Sequence, residues 1–178
     1  MLRALFVIIC LIASSAGASA VQSAGESPAR TASATLKDAR GQRVGQVTLR
    51  ETPNGVLLHV ELESVEPGVR ALHIHDIGRC DGPSFQSAGP HFNPQRRAHG
   101  FLASPGPHAG DLPNLYVPET GTSSVDVLAP GGSLTGGQAP TLLDGNGAAV
   151  VLHAGADDYK SDPAGSAGDR VACGVITR

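Results

Sequence analysis

His73-Ile74-His75 is the first arrangement along the chain that could do chemistry. In an extended strand residues i and i+2 project from the same face, so both imidazoles can reach one ion while Ile74 faces the other way. Alone, a His-x-His pair decides little. Its weight comes from the residues downstream of it: His91, His99, His108 and Asp111 in a Gly- and Pro-rich stretch, then His153 near the end of another strand-like run. Six of the 7 histidines belong to this set. The remaining one, His59, lies on the polar side of an alternating run and is expected to face solvent. Imidazole-rich ligation suits copper and zinc, and an added carboxylate favours tetrahedral zinc. Seven side chains exceed what one such ion takes. Two adjacent sites, one of nitrogen only and one of three nitrogens plus a carboxylate, can share the seven if one imidazole bridges them. A dication on each ring nitrogen makes deprotonation of that bridge feasible, as metals do for bound water and thiols.

The elements that must position these residues read as strands. Over 55–65, Leu58, Val60 and Leu62 alternate with Leu57, His59, Glu61 and Glu63, giving one apolar and one mostly polar face. Residues 31–37 and 43–49 have the same style, and the Asn54-Gly55 pair between the second and third runs is a hairpin signal. The domain therefore opens as an antiparallel meander. Further strands are expected at 69–76, 124–129, 148–153 and 170–177. Two long stretches, 77–115 and 154–169, carry no period, and loops of that length in a compact domain are usually functional or disordered.

The chain has 178 residues, 40% hydrophobic, 16% charged and 3% aromatic, with a net charge of -3. A length of this order suits one domain, and the apolar fraction is enough to close a core. Gly 23 and Pro 13 make up about a fifth of the chain, which argues against long helices. An acidic balance and scarce aromatics exclude a nucleic-acid binder that works by phosphate neutralisation or base stacking. Residues 1–20 carry Arg3, then the apolar run Ala4 to Ile12, then Ala18-Ser19-Ala20, which matches a secretory signal rather than a membrane span. Lipidation at Cys10 is disfavoured by the bulky Ile9 before it. Cleavage after Ala20 leaves 12 basic against 16 acidic residues, a net charge of -4, and no membrane span in the mature chain. Residues 21–30 read as a flexible leader and 31–178 as a single domain. Export, to the periplasm or with secretion as the alternative, leaves two cysteines in an oxidising compartment, which read as a Cys80 to Cys173 disulfide.

The string Leu72-His73-Ile74-His75, then Cys80, Ser87-Ala88-Gly89-Pro90-His91-Phe92-Asn93-Pro94, His99-Gly100 and His108-Ala109-Gly110-Asp111-Leu112-Pro113-Asn114-Leu115 resembles the copper,zinc superoxide dismutases. Val151-Leu152-His153, the Asp157 to Pro163 segment and Gly168-Asp169-Arg170-Val171-Ala172-Cys173-Gly174 continue the likeness, which covers roughly residues 31–178. The Cys80 to Pro94 spacing, the Asp-Leu-Pro-Asn tail and the leader resemble the bacterial exported branch. Leu72, Ser166 and the basic Arg79, Arg96 and Arg97 depart from the usual pattern, and none removes a ligand.

The resemblance implies an all-β fold, an eight-stranded antiparallel Greek-key β-barrel, flattened like an immunoglobulin-type sandwich, with two long functional loops. It implies one copper per subunit on His73, His75, His91 and His153, and one zinc on His91, His99, His108 and Asp111, with His91 as the bridge. Asp157 matches the outer carboxylate that orients ligands of both metals. Arg170 matches the arginine that docks the anion, so Arg170 and His91 are the expected catalytic residues. The implied activity is disproportionation of superoxide to oxygen and hydrogen peroxide by redox cycling of copper. Antioxidant defence in an exported compartment is the role that goes with it. Three other readings stand beside it. A non-catalytic copper/zinc-binding or copper-delivery module of the same fold is expected to lack Arg170 or part of the ligand set. A zinc hydrolase needs an open zinc position, and a structural domain needs no ordered histidines. The oligomeric state is left open, a homodimer among the options. With an acidic net charge, attraction of an anion must come from a local positive field, to which Arg170, Lys160 and the loop arginines are the candidates.

Overall fold

The computed structural model describes residues 30–137 and 139–178. The expected signal, 1–20, and the leader up to residue 29 lie outside the described residues. Nine strands occur in order: β1 (Thr31–Asp38), β2 (Arg43–Thr52), β3 (Gly55–Leu62), β4 (Gly68–Arg70), β5 (Leu72–His75), β6 (Leu115–Val117), β7 (Ser123–Ala129), β8 (Ala149–His153) and β9 (Arg170–Val175). A short 3-10 turn at Gln86–Ala88 is the one helical element among the described residues, and none of these is long and apolar enough to cross a membrane.

Seven strands pair antiparallel in the order β5-β8-β9-β1-β2-β3-β7, and β4 pairs with β6 in a separate ribbon. β4 runs into β5 at one edge of the large sheet and β6 precedes β7 at the other, so the chain links both edges through the ribbon. Among the described residues nine strands stand where eight were expected. The run anticipated at 69–76 is divided at Ala71, whose N–H donates to Gly155 O (2.8 Å) and whose carbonyl accepts His153 N–H (2.9 Å). There the chain leaves the ribbon and enters the large sheet. The three-residue β6 escaped the sequence reading because Tyr116 faces solvent between only two buried neighbours, too short a pattern to register.

The alternation in β3 buries Val56, Leu58, Val60 and Leu62 and leaves His59 and Glu61 outside, with His59 Nδ1 2.8 Å from Asp126 on β7. Burial of this kind contributes on the order of 1.5–3 kcal/mol per large apolar side chain. β5 and β8 differ from the meander strands, because both of their faces are covered. Leu72, Ile74, Val150 and Leu152 point into the main core, while Ala149 and Val151 pack under Phe85, Ala88 and Cys173 on the opposite face. His73, His75 and His153 share that second face by strand parity. The long loops therefore form a lid over an outer surface of the sheet, and the histidines lie beneath it.

The Cys80–Cys173 disulfide ties the first long loop to β9 across a sequence separation of 93. Chain-entropy reasoning assigns a closure of that length about 4 to 5 kcal/mol as an upper figure. Cys80→Ser is expected to lower unfolding free energy by about 2 to 5 kcal/mol in denaturant titrations. A loss below about 1 kcal/mol would show that the loop is held without the bridge.

Candidate metal centre

The first loop reaches the histidine face by adding backbone across β5. Ile74 N–H donates to Gly110 O (2.9 Å), Phe92 N–H to Ile74 O (2.8 Å), Gly110 N–H to Phe92 O (2.8 Å) and Asp76 N–H to Pro90 O (2.9 Å). Single-residue bridges then set His75 opposite His91 and His73 opposite Asp111. A register shift between Leu152 and His153 brings His153 opposite Arg170. Bulges of this sort re-aim side chains beside active sites. Gly165, with φ of 64°, lies so close to the Asp157 carboxylate and the His99 ring that any side chain there would collide with them.

All the anticipated ligands are buried, His108 being the most exposed at 8%. His73, His75, His91 and His153 offer donor atoms within 4.8 Å of one another, and so do His73, His91, His99 and Asp111. The second group contains His73 where the sequence reading has His108. His108 stands beside it, with Nδ1 3.2 Å from Asp111 Oδ1. His73 is drawn close because its Nε2 bonds Asp157 Oδ2 (2.8 Å), and His99 Nε2 lies 3.1 Å from the same oxygen. One carboxylate thus abuts both groups.

The ring nitrogens divide into engaged and unengaged atoms. His75 Nδ1 donates to Gly89 O (2.9 Å) and His153 Nδ1 to Gly168 O (3.2 Å). Carbonyl acceptors require the proton on Nδ1, so each Nε2 carries a lone pair. His75 Nε2, His91 Nε2, His153 Nε2, His73 Nδ1, His108 Nδ1 and both ring nitrogens of His99 are buried without a hydrogen-bond partner. Such orphans in one cluster are costly and need an explanation. His91 Nδ1 lies 2.8 Å from Asp111 Oδ1. Asp111 Oδ2 accepts Gly100 N–H (2.8 Å) and His108 N–H (2.9 Å), which fixes this carboxylate to the loop backbone.

Burial pushes the imidazoles toward neutrality: His75 is lowered to about 2, His91 and His153 to about 4, and His73 is also lowered. Burial acts to raise Asp111, but the His91 hydrogen bond, the Gly100 N–H and the nearby His99 and His108 outweigh it and hold the carboxyl at about 2. His73, His75, His91 and His153 are therefore neutral and Asp111 ionised near pH 7, the protonation state that metal ligation needs.

Arg170 Nη1 donates to Phe85 O and Nη2 to Gly89 O, both at 2.8 Å, so the carbonyl that orients His75 also holds the guanidinium. His59 is apart from all of this, on the far side of the meander. Sequence reasoning missed Asn114, whose Nδ2 donates to Asp157 O (2.9 Å) and whose Oδ1 accepts Asp157 N–H (2.8 Å). It stood in plain view in the Asp-Leu-Pro-Asn tail without a partner to give it a role. The Gly89 and Gly168 carbonyls had no side-chain signal at all.

A family model described as copper/zinc superoxide dismutase matches residues 43–176. The chain belongs to the copper/zinc superoxide dismutase family. Superoxide dismutase [Cu-Zn] 1 of Aquifex aeolicus is 45% identical over 144 residues, 80% of this chain and 85% of that protein. Superoxide dismutase [Cu-Zn] of Caulobacter vibrioides is 43% identical over 148 residues, 82% and 85% of the two chains. Among solved structures, a double mutant of a SOD-like protein from Bacillus subtilis superposes with a TM-score of 0.79 at 40% identity, covering 82% of this chain and 97% of that one. The protein is an enzyme of this superoxide dismutase family, whose metals are copper and zinc. The unengaged imidazole nitrogens and the Asp111 carboxylate fit that pair, since nitrogen donors suit copper and a nitrogen-plus-carboxylate set suits zinc.

Low pH should act on the metal-free protein through these histidines. The unfolded chain takes up protons near 6.5, whereas the folded imidazoles resist protonation down to about 4 or below. Between those limits the unfolded state binds more protons, so stability falls as pH drops and is restored as pH rises. Urea midpoints of metal-free protein are expected to decline progressively from pH 6.5 to pH 4. Constant midpoints over that window would contradict the buried neutral state.

Proposed function

We propose that superoxide disproportionation in this chain rests on copper held by His73, His75, His91 and His153 and on zinc held by His91, His99, His108 and Asp111. The single observation that carries this reading is the set of buried nitrogens without protein partners, gathered on one covered face of the sheet. Copper, when bound, supplies the one-electron exchange that oxidises one superoxide to oxygen and reduces a second, with two protons, to hydrogen peroxide, while redox-inert zinc supplies fixed charge.

The side chains do the remainder. His75 and His153 are locked in one tautomer by the Gly89 and Gly168 carbonyls, so their Nε2 lone pairs point inward. Asp157 holds the Nε2 side of His73, leaving Nδ1 as its ligand atom. His91 belongs to both proposed sets, with Nδ1 2.8 Å from Asp111 Oδ1 and Nε2 buried without a protein partner. Its Nε2 is the atom that takes up and releases a proton during turnover. Arg170, held in place by two carbonyls, presents a fixed cation to an approaching anion. A non-catalytic delivery module has no use for such a cation beside a complete ligand set.

Arg170→Ala is expected to retain both metals and to lose roughly one to two orders of magnitude in the second-order rate constant for superoxide. Metal analysis paired with superoxide consumption, before and after copper removal, tests the whole reading. An unchanged rate constant in the variant would remove Arg170 from the mechanism, and activity that survives copper removal would overturn the copper assignment.

The enzyme is further proposed to work outside the cytoplasm, in the periplasm, after loss of residues 1–20. Intact-mass measurement on protein recovered from the periplasmic fraction should give a chain beginning at Val21. A full-length cytoplasmic product would refute export.

A further inference from the structure

We propose that Tyr159 is a positioning residue that couples the two long loops and thereby sets the imidazoles of both metal sets. The proposal rests on the ligand reading above and concerns a residue that touches none of those ligands.

Tyr159 has φ of 60°, a left-handed backbone that a residue with a bulky side chain adopts only when its surroundings over-determine it. Four contacts do so. Its N–H donates to Asp157 Oδ1 (2.6 Å), which occupies one carboxylate oxygen and leaves Oδ2 for the His73 hydrogen bond, with His99 Nε2 3.1 Å from the same oxygen. Its carbonyl accepts Leu102 N–H (2.9 Å) and presses against Gly100, where no Cβ could fit. Its hydroxyl oxygen accepts Asn114 N–H (2.7 Å). Its ring packs against Phe101, with centroids 5.2 Å apart.

These contacts grip the first loop on both sides of the second metal set. Gly100, Phe101 and Leu102 follow His99 directly, and Asn114 follows Asp111 by three residues. Asn114 then closes the circuit by bonding the Asp157 backbone in both directions. The neighbouring Asp162 adds a parallel tie, since its Oδ1 accepts His99 N–H (2.8 Å). A displacement of the first loop is therefore transmitted to Asp157, and through the Oδ2 hydrogen bond to His73. A residue that merely glued the loop would affect the zinc side and leave His73 alone.

The test uses the fully metal-loaded protein and the variants Tyr159→Phe and Tyr159→Leu. Zinc release is followed with a chromophoric chelator, and the copper(II) environment by electron paramagnetic resonance. Loss of the hydroxyl acceptor in Tyr159→Phe is expected to speed zinc release about three- to tenfold. Tyr159→Leu, which also loses the ring contact, should be faster still. Both variants should shift the copper(II) hyperfine pattern, although the residue sits beside the zinc side. Lower melting temperatures with zinc release within about twofold of wild type and an unchanged copper spectrum would overturn the proposal, because that pattern is a structural role only. Faster zinc release with an unaltered copper spectrum would also overturn it, since the coupling to His73 would be missing. The wild-type control separates this from the ligand reading: wild-type protein that binds no zinc, or copper outside a nitrogen-rich site, would refute the ligand assignments themselves.

Discussion

Six imidazoles are held out of water, and each presents a nitrogen that no protein group satisfies. That constraint governs the rest of the molecule. A buried lone pair without a partner is unfavourable, and several facing one another are more so, because mutual proximity forbids protonation as a way out. A flexible loop would relieve the conflict by letting the rings rotate into solvent. The protein prevents this by giving the opposite nitrogen of His73, His75 and His153 a fixed acceptor: a carboxylate for the first, a backbone carbonyl for each of the others. The unfavourable arrangement is thereby stored in the fold and released when metal binds, so ligation and stability are two aspects of one free energy.

Holding acceptors still requires a frame stiffer than a loop. β5 and β8 supply it because they are packed on both faces, with Leu72, Ile74, Val150 and Leu152 in the core and the histidines on the reverse. Strand parity then decides which residues share the histidine face, and the division at Ala71 joins this pair of strands to the ribbon that spans the sheet edges. The first loop is fixed to the same surface by extended backbone at Phe92 and Gly110, and at its start by the disulfide to β9. Asp157 links the two loops to the two groups of imidazoles. The arrangement has few independent parts, since one peptide carbonyl or one carboxylate commonly serves two side chains.

Much of this was legible in the residue order. The parity of His73 and His75, the alternation through Leu58, Val60 and Leu62 and the Asn54-Gly55 turn come from local periodicity, and all three are found as anticipated. The solvent exposure of His59 was likewise readable, though its cross-strand partner Asp126 was not, being 67 residues away. What could not be read was anything carried by backbone: the Gly89 and Gly168 carbonyls, the bulge that sets His153 against Arg170, and the chain's change of sheet at Ala71. Backbone groups are the same at every residue, so a sequence does not mark which of them will be acceptors. The residues that gather on this face were thus far easier to anticipate than the forces that orient them. The place of His73 in the second group shows the difference, because its position there depends on a shared Asp157 oxygen rather than on spacing.

The net charge of -3 would be a poor design for an enzyme acting on an anion if total charge were what mattered. Over distances beyond roughly 8 to 10 Å salt screens exposed charges, so an acidic surface is felt weakly at a recessed site while a fixed cation close to it is felt strongly. Arg170 meets that condition through the segment that also orients His75. Gly89 O accepts from both His75 Nδ1 and Arg170 Nη2, Phe85 O accepts from Nη1, and Cys80 at the start of that segment is bonded to Cys173, three residues beyond Arg170 on β9. The guanidinium and the imidazole therefore cannot be displaced independently. A shift of the 80–91 segment that moved the guanidinium would also turn the His75 imidazole, because a stretch with almost no regular secondary structure is pinned at both ends to the sheet.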